Sequence, residues 1–236
     1  MTKKFEVSII VPVFNEEQRI KPFLKDMKAI IKPDWEIIFV NDGSNDNSLN
    51  VIKKSGIKNI RIISYKTNRG KGHAVKKGVE AAKGNYIIFI DADGSIHPKQ
   101  IMNMLPYLKK YEIVVGTRAS KESQVKQSLL RKLTGIAFNM YVNFLYKINI
   151  KDNLCGFKGF RGSIAKGLFH NLISERWIFD VELFYKIRNH NIDFYELPIR
   201  WNHKKNSKIS FIDPFIMVFE LIYLRVRLAS QNEKIH

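Results

Sequence analysis

The sequence has 236 residues, of which 45% are hydrophobic and 26% are charged, as expected for one folded domain with a substantial core. Forty lysine and arginine residues against 22 aspartate and glutamate residues give a formal net charge of +18. This charge favours an anionic partner such as nucleic acid, a membrane surface or a phosphorylated substrate. Cys155 is the only cysteine, which excludes an intrachain disulfide and fits a reducing compartment.

The termini and the apolar runs give the expected relation to membranes. The first predicted strand starts almost at Met1, which leaves no room for a signal peptide. The longest apolar-rich run, Phe211 to Ala229, is interrupted by four charged residues. We therefore expect a protein that lies on a membrane rather than spanning one.

The first half of the chain predicts strands alternating with helices. Strands are expected at Glu6 to Val13, Trp35 to Val40, Asn59 to Tyr65, Tyr86 to Ile90 and Glu112 to Gly116. This alternation, at a spacing of about 25 residues, is typical of right-handed βαβ units. It predicts an α/β fold: a Rossmann-like, mostly parallel sheet flanked by helices. The fourth strand is a continuous apolar run, so we expect a central parallel strand buried on both faces.

The second half predicts two amphipathic, aromatic-rich helices. The expected elements are helices at Ile136 to Ile150 and Pro214 to Leu228, a strand or loop at Asn153 to Arg161, a helix opening at Glu175 to Glu182, and a last strand at Ile192 to Trp201. Apolar side chains mixed with lysine and arginine are what a helix at an anionic membrane surface needs. Packing of the same helices on the sheet, as part of the core, is the alternative.

Charged residues follow three of the predicted strands. Asp91 and Asp93 come directly after the fourth strand, Asp42 ends the second, and Lys71 lies in a glycine-rich segment before a helix. The carboxyl ends of parallel strands are where open α/β sheets bind ligands. The two carboxylates suit Mg²⁺ or Mn²⁺ bridging phosphates, and Lys71 at a helix start suits a phosphate. Taken singly, each of these segments also fits a simple turn or helix cap.

Several motifs resemble those of family 2 glycosyltransferases with the GT-A fold. They are, in order, Pro12-Val-Phe-Asn-Glu16-Glu17, Val40-Asn-Asp42-Gly-Ser44, Gly70-Lys-Gly72 and Asp91-Ala-Asp93-Gly-Ser95. The second half is similar to the branch that contains dolichyl-phosphate β-glucosyltransferases, with dolichyl-phosphate mannose synthases as the next relatives. Its matching segments are Val115 to Arg118, Cys155 to Lys158, Glu175 to Glu182 and the loop from Trp201 to Lys208. One departure is the sequence Lys-Lys-Asn-Ser-Lys in that loop, where the family usually has glycine before Ser-Lys.

The resemblance implies a reaction and its participants. It implies inverting transfer of a hexose from a nucleotide sugar to dolichyl or another polyprenyl phosphate, with Mg²⁺ or Mn²⁺. UDP-glucose is the expected donor, and GDP-mannose is the alternative. The resemblance further implies a single domain over residues 1–236, with donor binding in 1–117 and acceptor binding plus the membrane-facing helices in 118–236. The expected location is the cytoplasmic face of a membrane. The acceptor phosphate is already ionised near neutral pH, since its second pKa is about 6, so no strong general base is needed.

The resemblance also implies roles for individual residues. Nucleoside and donor contacts fall on Pro12, Phe14, Glu16, Asp42, Lys71, Asp91 and Ala92. Asp91 and Asp93 would bind the metal, and Arg118 and Arg131 would bind the acceptor phosphate. These four residues form the expected catalytic set. Lys204 and Lys208 belong to a loop that would close over the donor, and Asp180 and Glu182 would orient that loop or a sugar hydroxyl. Without the resemblance, the arginines also fit solvated surface charges, and the two acids fit a helix N-terminus.

Two other classes of protein compete with this interpretation. A nucleotidyltransferase also needs acids at strand ends and a phosphate-binding loop, but it has no use for two aromatic, basic helices. A nucleic-acid-binding protein fits the charge of +18. The sequence carries no helix-turn-helix, zinc or RNA-binding signature, and its basic residues alternate with acidic ones, so we expect no nucleic-acid partner.

Overall fold

The structure is a computed structural model that describes residues 5–126, 129–204 and 213–232; the side chains of residues 130, 131, 213–215, 231 and 232 lie outside the description. The strands are β1 (Phe5–Val13), β2 (Trp35–Asp42), β3 (Ile60–Tyr65), β4 (Gly84–Ile90), β5 (Ile113–Thr117), β6 (Gln124–Lys126), β7 (Phe157–Arg161), β8 (Phe194–Pro198) and β9 (Arg200–Asn202). The helices are α1 (Glu17–Ile30), α2 (Ser48–Lys53), α3 (Lys71–Ala81), α4 (Gln100–Leu108), α5 (Leu129–Tyr146), α6 (Gly162–His170), α7 (Phe179–Asn189) and α8 (Asp213–Asn232).

The described strands form one large sheet and one small one. The large sheet has seven strands in the order β3-β2-β1-β4-β7-β5-β8, and β6 pairs with β9 in the small sheet. Four of the six pairings in the large sheet are parallel; only β7 runs antiparallel, to β4 and to β5. This confirms the predicted α/β fold with a mostly parallel sheet flanked by helices. Strands from before and after residue 117 share the sheet, and the division of the chain at that residue stays a prediction.

The fourth strand is central, as the sequence predicts, but its two neighbours differ in direction. Residues 87–90 of β4 are buried. β4 pairs parallel with β1, yet on its other side it pairs antiparallel with β7, where Ile88 lies opposite Gly159. The expected central position and burial are therefore confirmed, and the strand is parallel to one neighbour and antiparallel to the other. The apolar run specifies burial on both faces, whereas strand direction depends on a segment about 70 residues later that the local pattern does not reveal.

Other predicted elements also have different bounds in the structure, among them α7, which begins at Phe179 rather than Glu175. Helix α5 begins at Leu129, seven residues before the predicted start at Ile136. It ends at Tyr146, four residues before the predicted end at Ile150. The predicted strand from Ile192 to Trp201 is divided into β8 and β9, which belong to different sheets. Pro198 ends β8, and because proline has no backbone N–H it cannot continue the ladder.

The core lies on both faces of the large sheet. Consecutive residues Ile9 and Ile10 of β1 are fully buried but belong to different hydrophobic clusters, because side chains alternate along a strand. The cluster that contains Ile10 includes side chains of α3, α6, α7 and α8, and the cluster that contains Ile9 includes side chains of α1 and α4. With both faces covered in this way, the carboxyl edge of the parallel strands is left for ligands.

Helices α5 and α8 each bury one face and expose another. On α8, Met217, Leu221, Leu224 and Leu228 are buried, whereas Ile216, Phe219, Ile222, Tyr223 and Val226 are exposed. On α5, Val142 is fully buried, while the side chain of Phe144 is 80% exposed. The Tyr146 hydroxyl donates a hydrogen bond to the Leu221 carbonyl and joins the two helices. None of the described helices has the length and the apolar character needed to cross a bilayer.

Candidate active site

Asp91 and Lys71 form an ion pair at the carboxyl edge of the sheet. Asp91 follows β4 directly, and its Oδ1 lies 2.6 Å from the Lys71 Nζ at the first residue of α3. The two side chains are 33% and 15% exposed, so the pair is accessible from one side. Burial alone would lower the pKa of the Lys71 ammonium, but the carboxylates of Asp91 and Asp180 raise it above its ordinary value. Lys71 therefore remains a cation beside the predicted donor site.

Asp42 holds the loop that leads into Lys71. Its carboxylate accepts hydrogen bonds from the Asn68 Nδ2 at 3.0 Å and from the backbone N–H groups of Arg69 and Gly70 at 2.8 and 2.9 Å. Gly70 has a φ of +109°, a conformation that favours glycine, and it directly precedes α3. Asp42 is 3% exposed. The structure thus gives Asp42 a role in shaping the loop, and its predicted contact with a nucleoside stays a prediction.

Arg19 connects Glu16 with Asp93. The Arg19 Nε donates a hydrogen bond to the Glu16 Oε2 at 2.7 Å, and its Nη1 lies 4.0 Å from the Asp93 Oδ2. Asp93 also accepts hydrogen bonds from the backbone N–H and the hydroxyl of Ser95, at 2.8 and 3.0 Å. Sequence reasoning missed Arg19, although its spacing of three from Glu16 at a helix start is a signal for such a pair.

The remaining residues predicted to contact the donor lie near this edge. Pro12 lies in β1, Phe14 is half-buried in the bend after it, and Ala92 is buried between the two aspartates. The Asn15 N–H donates to the Ser44 Oγ at 2.9 Å, which joins the loops that follow β1 and β2. Beside these loops is an open cavity of about 400 Å³, lined by Asn15, Glu16, Glu17, Gln18, Arg19, Asn45 and Asp46.

The carboxylates of Asp91 and Asp93 fit a hard divalent cation that takes its other ligands from a substrate. Both side chains are partly exposed, at 33% and 27%. Among the described residues no group of three or more histidine, cysteine, aspartate or glutamate side chains is arranged to hold a metal ion. Mg²⁺ is commonly bound by one or two carboxylates together with substrate phosphates and water, rather than by a complete protein cage. Two carboxylates one residue apart therefore suit Mg²⁺ or Mn²⁺ with a diphosphate.

Arg118, directly after β5, is held by Asp152. The Asp152 Oδ2 accepts hydrogen bonds from the Arg118 Nε at 2.7 Å and from its backbone N–H at 2.9 Å, and the Oδ1 accepts one from the Nη2 at 2.7 Å. The guanidinium carbon lies 5.5 Å from the centre of the Trp201 ring. Burial would raise the pKa of the Asp152 carboxyl, but the hydrogen bonds and charge of Arg118 keep it below its ordinary value. Arg118 is thus an ordered residue and not a freely solvated charge.

The segment from Asp152 to Lys158 joins Arg118 to Asp91. Asp152 binds Arg118, and four residues later the Gly156 carbonyl accepts a hydrogen bond from the Asp91 N–H at 3.2 Å. Lys158 then anchors the segment: its Nζ donates to the Cys155 carbonyl and to the Asp180 Oδ1, both at 2.7 Å. Sequence analysis did not identify Asp152, and it included Gly156 and Lys158 only in the matching segment Cys155 to Lys158, without a role, because local patterns do not show which distant residues meet.

Asp180 and Glu182 both make structural contacts. Asp180 is 2% exposed and pairs with Lys158, and burial raises the pKa of its carboxyl against the opposing effect of that lysine. Glu182 is fully buried; its carboxylate accepts hydrogen bonds from the backbone N–H groups of Ile173 and Ser174 and pairs with Lys186 at 2.7 Å. Orientation of the lysine loop or of a sugar hydroxyl by these acids stays a prediction.

Lys204 lies beside the turn that contains Asp93. Its Cε would be 3.9 Å from a Cβ built on Gly94, and the Asn202 N–H donates to the Ser95 carbonyl at 2.9 Å. The end of β9 therefore lies beside the turn that contains Asp93. Lys208 and the side chain of Arg131 lie outside the described residues, so their predicted roles are not addressed by these contacts.

The fold is a mostly parallel α/β sheet with carboxylates at its carboxyl edge, and comparison with known proteins gives the family. Residues 8–169 match the family model described as Glycosyl transferase family 2. A dolichyl-phosphate β-glucosyltransferase of Dictyostelium discoideum is 34% identical over 94% of this chain and 74% of its own. The human protein of the same description is 32% identical over 95% of this chain and 76% of its own. The chain belongs to glycosyl transferase family 2 and is a glycosyltransferase.

Solved structures have the same fold. Glucosyl-3-phosphoglycerate synthase from Mycobacterium tuberculosis, in complex with Mn²⁺, UDP and glucosyl-3-phosphoglycerate, superposes with a TM-score of 0.71 at 15% identity, covering 94% of this chain and 80% of that one. Staphylococcus aureus TarS in complex with UDP-GlcNAc gives a TM-score of 0.62 at 17% identity, over 94% of this chain and 65% of that one. At these identities the likeness establishes the fold, which confirms the architecture expected from the resemblance.

Proposed function

We propose that this glycosyltransferase moves a glucosyl group from UDP-glucose to dolichyl or another polyprenyl phosphate. The observation that carries the proposal is the segment from Asp152 to Gly156, which touches Arg118 at one end and Asp91 at the other. A cationic group for an acceptor phosphate and a carboxylate for the donor diphosphate are thereby both hydrogen-bonded to one five-residue segment. The names of the relatives supply the acceptor and the sugar, and the net charge of +18 suits two anionic substrates.

In this reaction an oxygen of the acceptor phosphate attacks the anomeric carbon of glucose. The bond from that carbon to the donor diphosphate breaks, UDP leaves with the electron pair, and the configuration is inverted. Arg118 orients the nucleophile with charge-assisted hydrogen bonds, and Lys71 faces the leaving diphosphate. Mg²⁺ or Mn²⁺, held by Asp91 and Asp93, would supply Lewis-acid stabilisation of the leaving group. No general base is required because the phosphate oxygen is already ionised.

We propose that the reaction takes place at the cytoplasmic face of a membrane, on which α5 and α8 lie. Both helices expose apolar side chains, with Phe144 80% exposed on α5 and Phe219 73% exposed on α8. Arg225 and Arg227 on α8 are also exposed. Exposed aromatic and aliphatic groups enter the headgroup boundary, while nearby cations are attracted by anionic lipids at about 1 kcal/mol each. The acceptor's polyprenyl chain lies in the same bilayer.

The function is tested by measuring sugar transfer into lipid. The purified chain is incubated with dolichyl phosphate, Mg²⁺ and either UDP-[¹⁴C]glucose or GDP-[¹⁴C]mannose, and label extracted into organic solvent is counted. We expect label from UDP-glucose, and none after EDTA treatment or in Asp93→Ala. Label from GDP-mannose alone would assign the mannosyl reaction instead. No lipid label from either donor, with nucleotide binding intact, would overturn the acceptor class.

The membrane surface is tested separately by co-sedimentation with liposomes. We expect the wild type to bind vesicles rich in anionic lipid, with binding that weakens as salt is raised. Phe144→Ser combined with Phe219→Ser should reduce binding strongly. The matched control is Tyr111→Ser, which removes an exposed aromatic side chain from outside α5 and α8. Equal binding by the double variant and the control would exclude this surface.

A further inference from the structure

Asp152 and Trp201 enclose the side chain of Arg118. The Asp152 carboxylate receives the Nε–H and an Nη2–H of the guanidinium, and the same Oδ2 receives the Arg118 backbone N–H. The Trp201 ring lies against the guanidinium at 5.5 Å. The side chains of Arg118 and Asp152 are 25% and 8% exposed. One carboxylate thus fixes both ends of the arginine, and the exposed remainder of the guanidinium has a single orientation.

This arrangement leaves one edge of the guanidinium for an anion. Arginine carries five N–H donors in one plane, and bidentate binding uses two of them along one edge. Asp152 occupies the edge formed by Nε and Nη2. The edge formed by Nη1 and Nη2 still has a hydrogen on each nitrogen. An oxyanion that meets this edge forms two parallel hydrogen bonds, which is the geometry that arginine offers to phosphate.

We propose that Asp152 is a positioning residue that aligns the Nη1–Nη2 edge of Arg118 with the phosphate of the prenyl phosphate acceptor. This inference rests on the proposed function, because it takes the acceptor to be a phosphate monoester. An arginine already held in its binding geometry loses less side-chain freedom when the acceptor arrives. The effect of Asp152 therefore passes through Arg118 and concerns the acceptor, whereas the UDP-sugar is bound at the Asp91 side of the site.

The test is a double-mutant cycle between Asp152→Asn and Arg118→Met. Binding of citronellyl phosphate, a short prenyl phosphate, and of UDP is measured by calorimetry, and KM and kcat are measured for transfer to polyprenyl phosphate. We expect Asp152→Asn to weaken prenyl phosphate binding and to raise the acceptor KM by about tenfold, a coupling of ordinary size for charges in direct contact. UDP affinity should stay within about twofold. In the Arg118→Met background, Asp152→Asn should have no further effect on acceptor binding.

Control variants separate positioning from a loss of folding. Lys151→Met removes an exposed ion pair with Glu196 from the neighbouring residue and should leave acceptor binding unchanged. Asp152→Glu keeps the charge and should restore part of the affinity lost in Asp152→Asn. Equal acceptor binding by the wild type and Asp152→Asn, or additive losses in the cycle, would overturn the inference while the proposed function stands. A wild type that binds UDP but no prenyl phosphate would overturn both.

Discussion

The backbone of Gly156 lies against the carboxylate of Asp91 so closely that no side chain fits between them. A Cβ built on Gly156 would lie 1.8 Å from the Asp91 Oδ2 and 2.4 Å from its Cγ, while the Gly156 carbonyl accepts a hydrogen bond from the Asp91 N–H. Gly156 is not among the described glycines that have a positive φ. The close approach of its backbone to Asp91, and not its backbone conformation, therefore explains why this residue is a glycine. Position 156 therefore determines where the first predicted catalytic carboxylate points.

Gly156→Ala should displace Asp91 and reduce transfer severely. The new methyl group requires the carboxylate to move by more than an ångström, and a misplacement of that size costs about 100-fold in rate. Steady-state kinetics with UDP-glucose and the acceptor measure the effect. Gly167→Ala is the control, since a Cβ there meets nothing within 4 Å and lies in α6. A Gly156→Ala enzyme as active as this control would show that the Asp91 position is not needed.

The local sequence predicted the carboxylate edge but not what holds it. Asp91 and Asp93 follow a continuous apolar run, so their position at a strand end follows from pattern alone. Asp152 binds Arg118, which lies 34 residues away in the sequence. Lys158 binds Asp180, which lies 22 residues away. These contacts form because β7 lies between β4 and β5 and runs antiparallel to both. Sequence periodicity does not specify this placement.

Lys71→Met should weaken donor binding. The methionine keeps most of the side-chain volume but removes the ammonium that lies 2.6 Å from Asp91. A hydrogen bond to a charged group is worth about 1.5–3 kcal/mol, so we expect the KM for the sugar nucleotide to rise by about tenfold or more. Lys77→Met removes an exposed ion pair with Glu80 in the same helix and should leave this KM unchanged. An unchanged donor KM in Lys71→Met would contradict a donor role.

The Lys158 and Asp180 pair should be far more important for stability than for binding. The two side chains are 1% and 3% exposed, and the ammonium also lies 5.4 and 5.3 Å from the ring centres of Phe89 and Phe184. Removing one member of a buried ion pair costs about 3–5 kcal/mol, because the other charge is left without a partner. We expect Lys158→Met to lower the free energy of unfolding in urea by that amount.

The double variant Lys158→Met with Asp180→Leu provides the comparison. It removes both buried charges, so its unfolding free energy should exceed that of Lys158→Met alone. The hydrogen bond from Lys158 to the Cys155 carbonyl is lost in both variants, so it does not account for the difference. If the double variant is the less stable of the two, the unpaired charge of Asp180 is not the cause of the loss.

Asp152 should also make stability depend on pH in the acid range. Arg118 holds the pKa of the Asp152 carboxyl below its ordinary value, despite the raising effect of burial. A carboxyl with a lowered folded-state pKa stabilises the protein above its unfolded-state pKa, near 3.9, and this contribution disappears as pH falls through the folded-state value. Below about pH 5 the wild type should therefore lose unfolding free energy faster than Asp152→Asn, and the two curves should converge. Urea unfolding from pH 7 to 3 measures both, and parallel curves would show that Asp152 is not preferentially ionised in the folded protein.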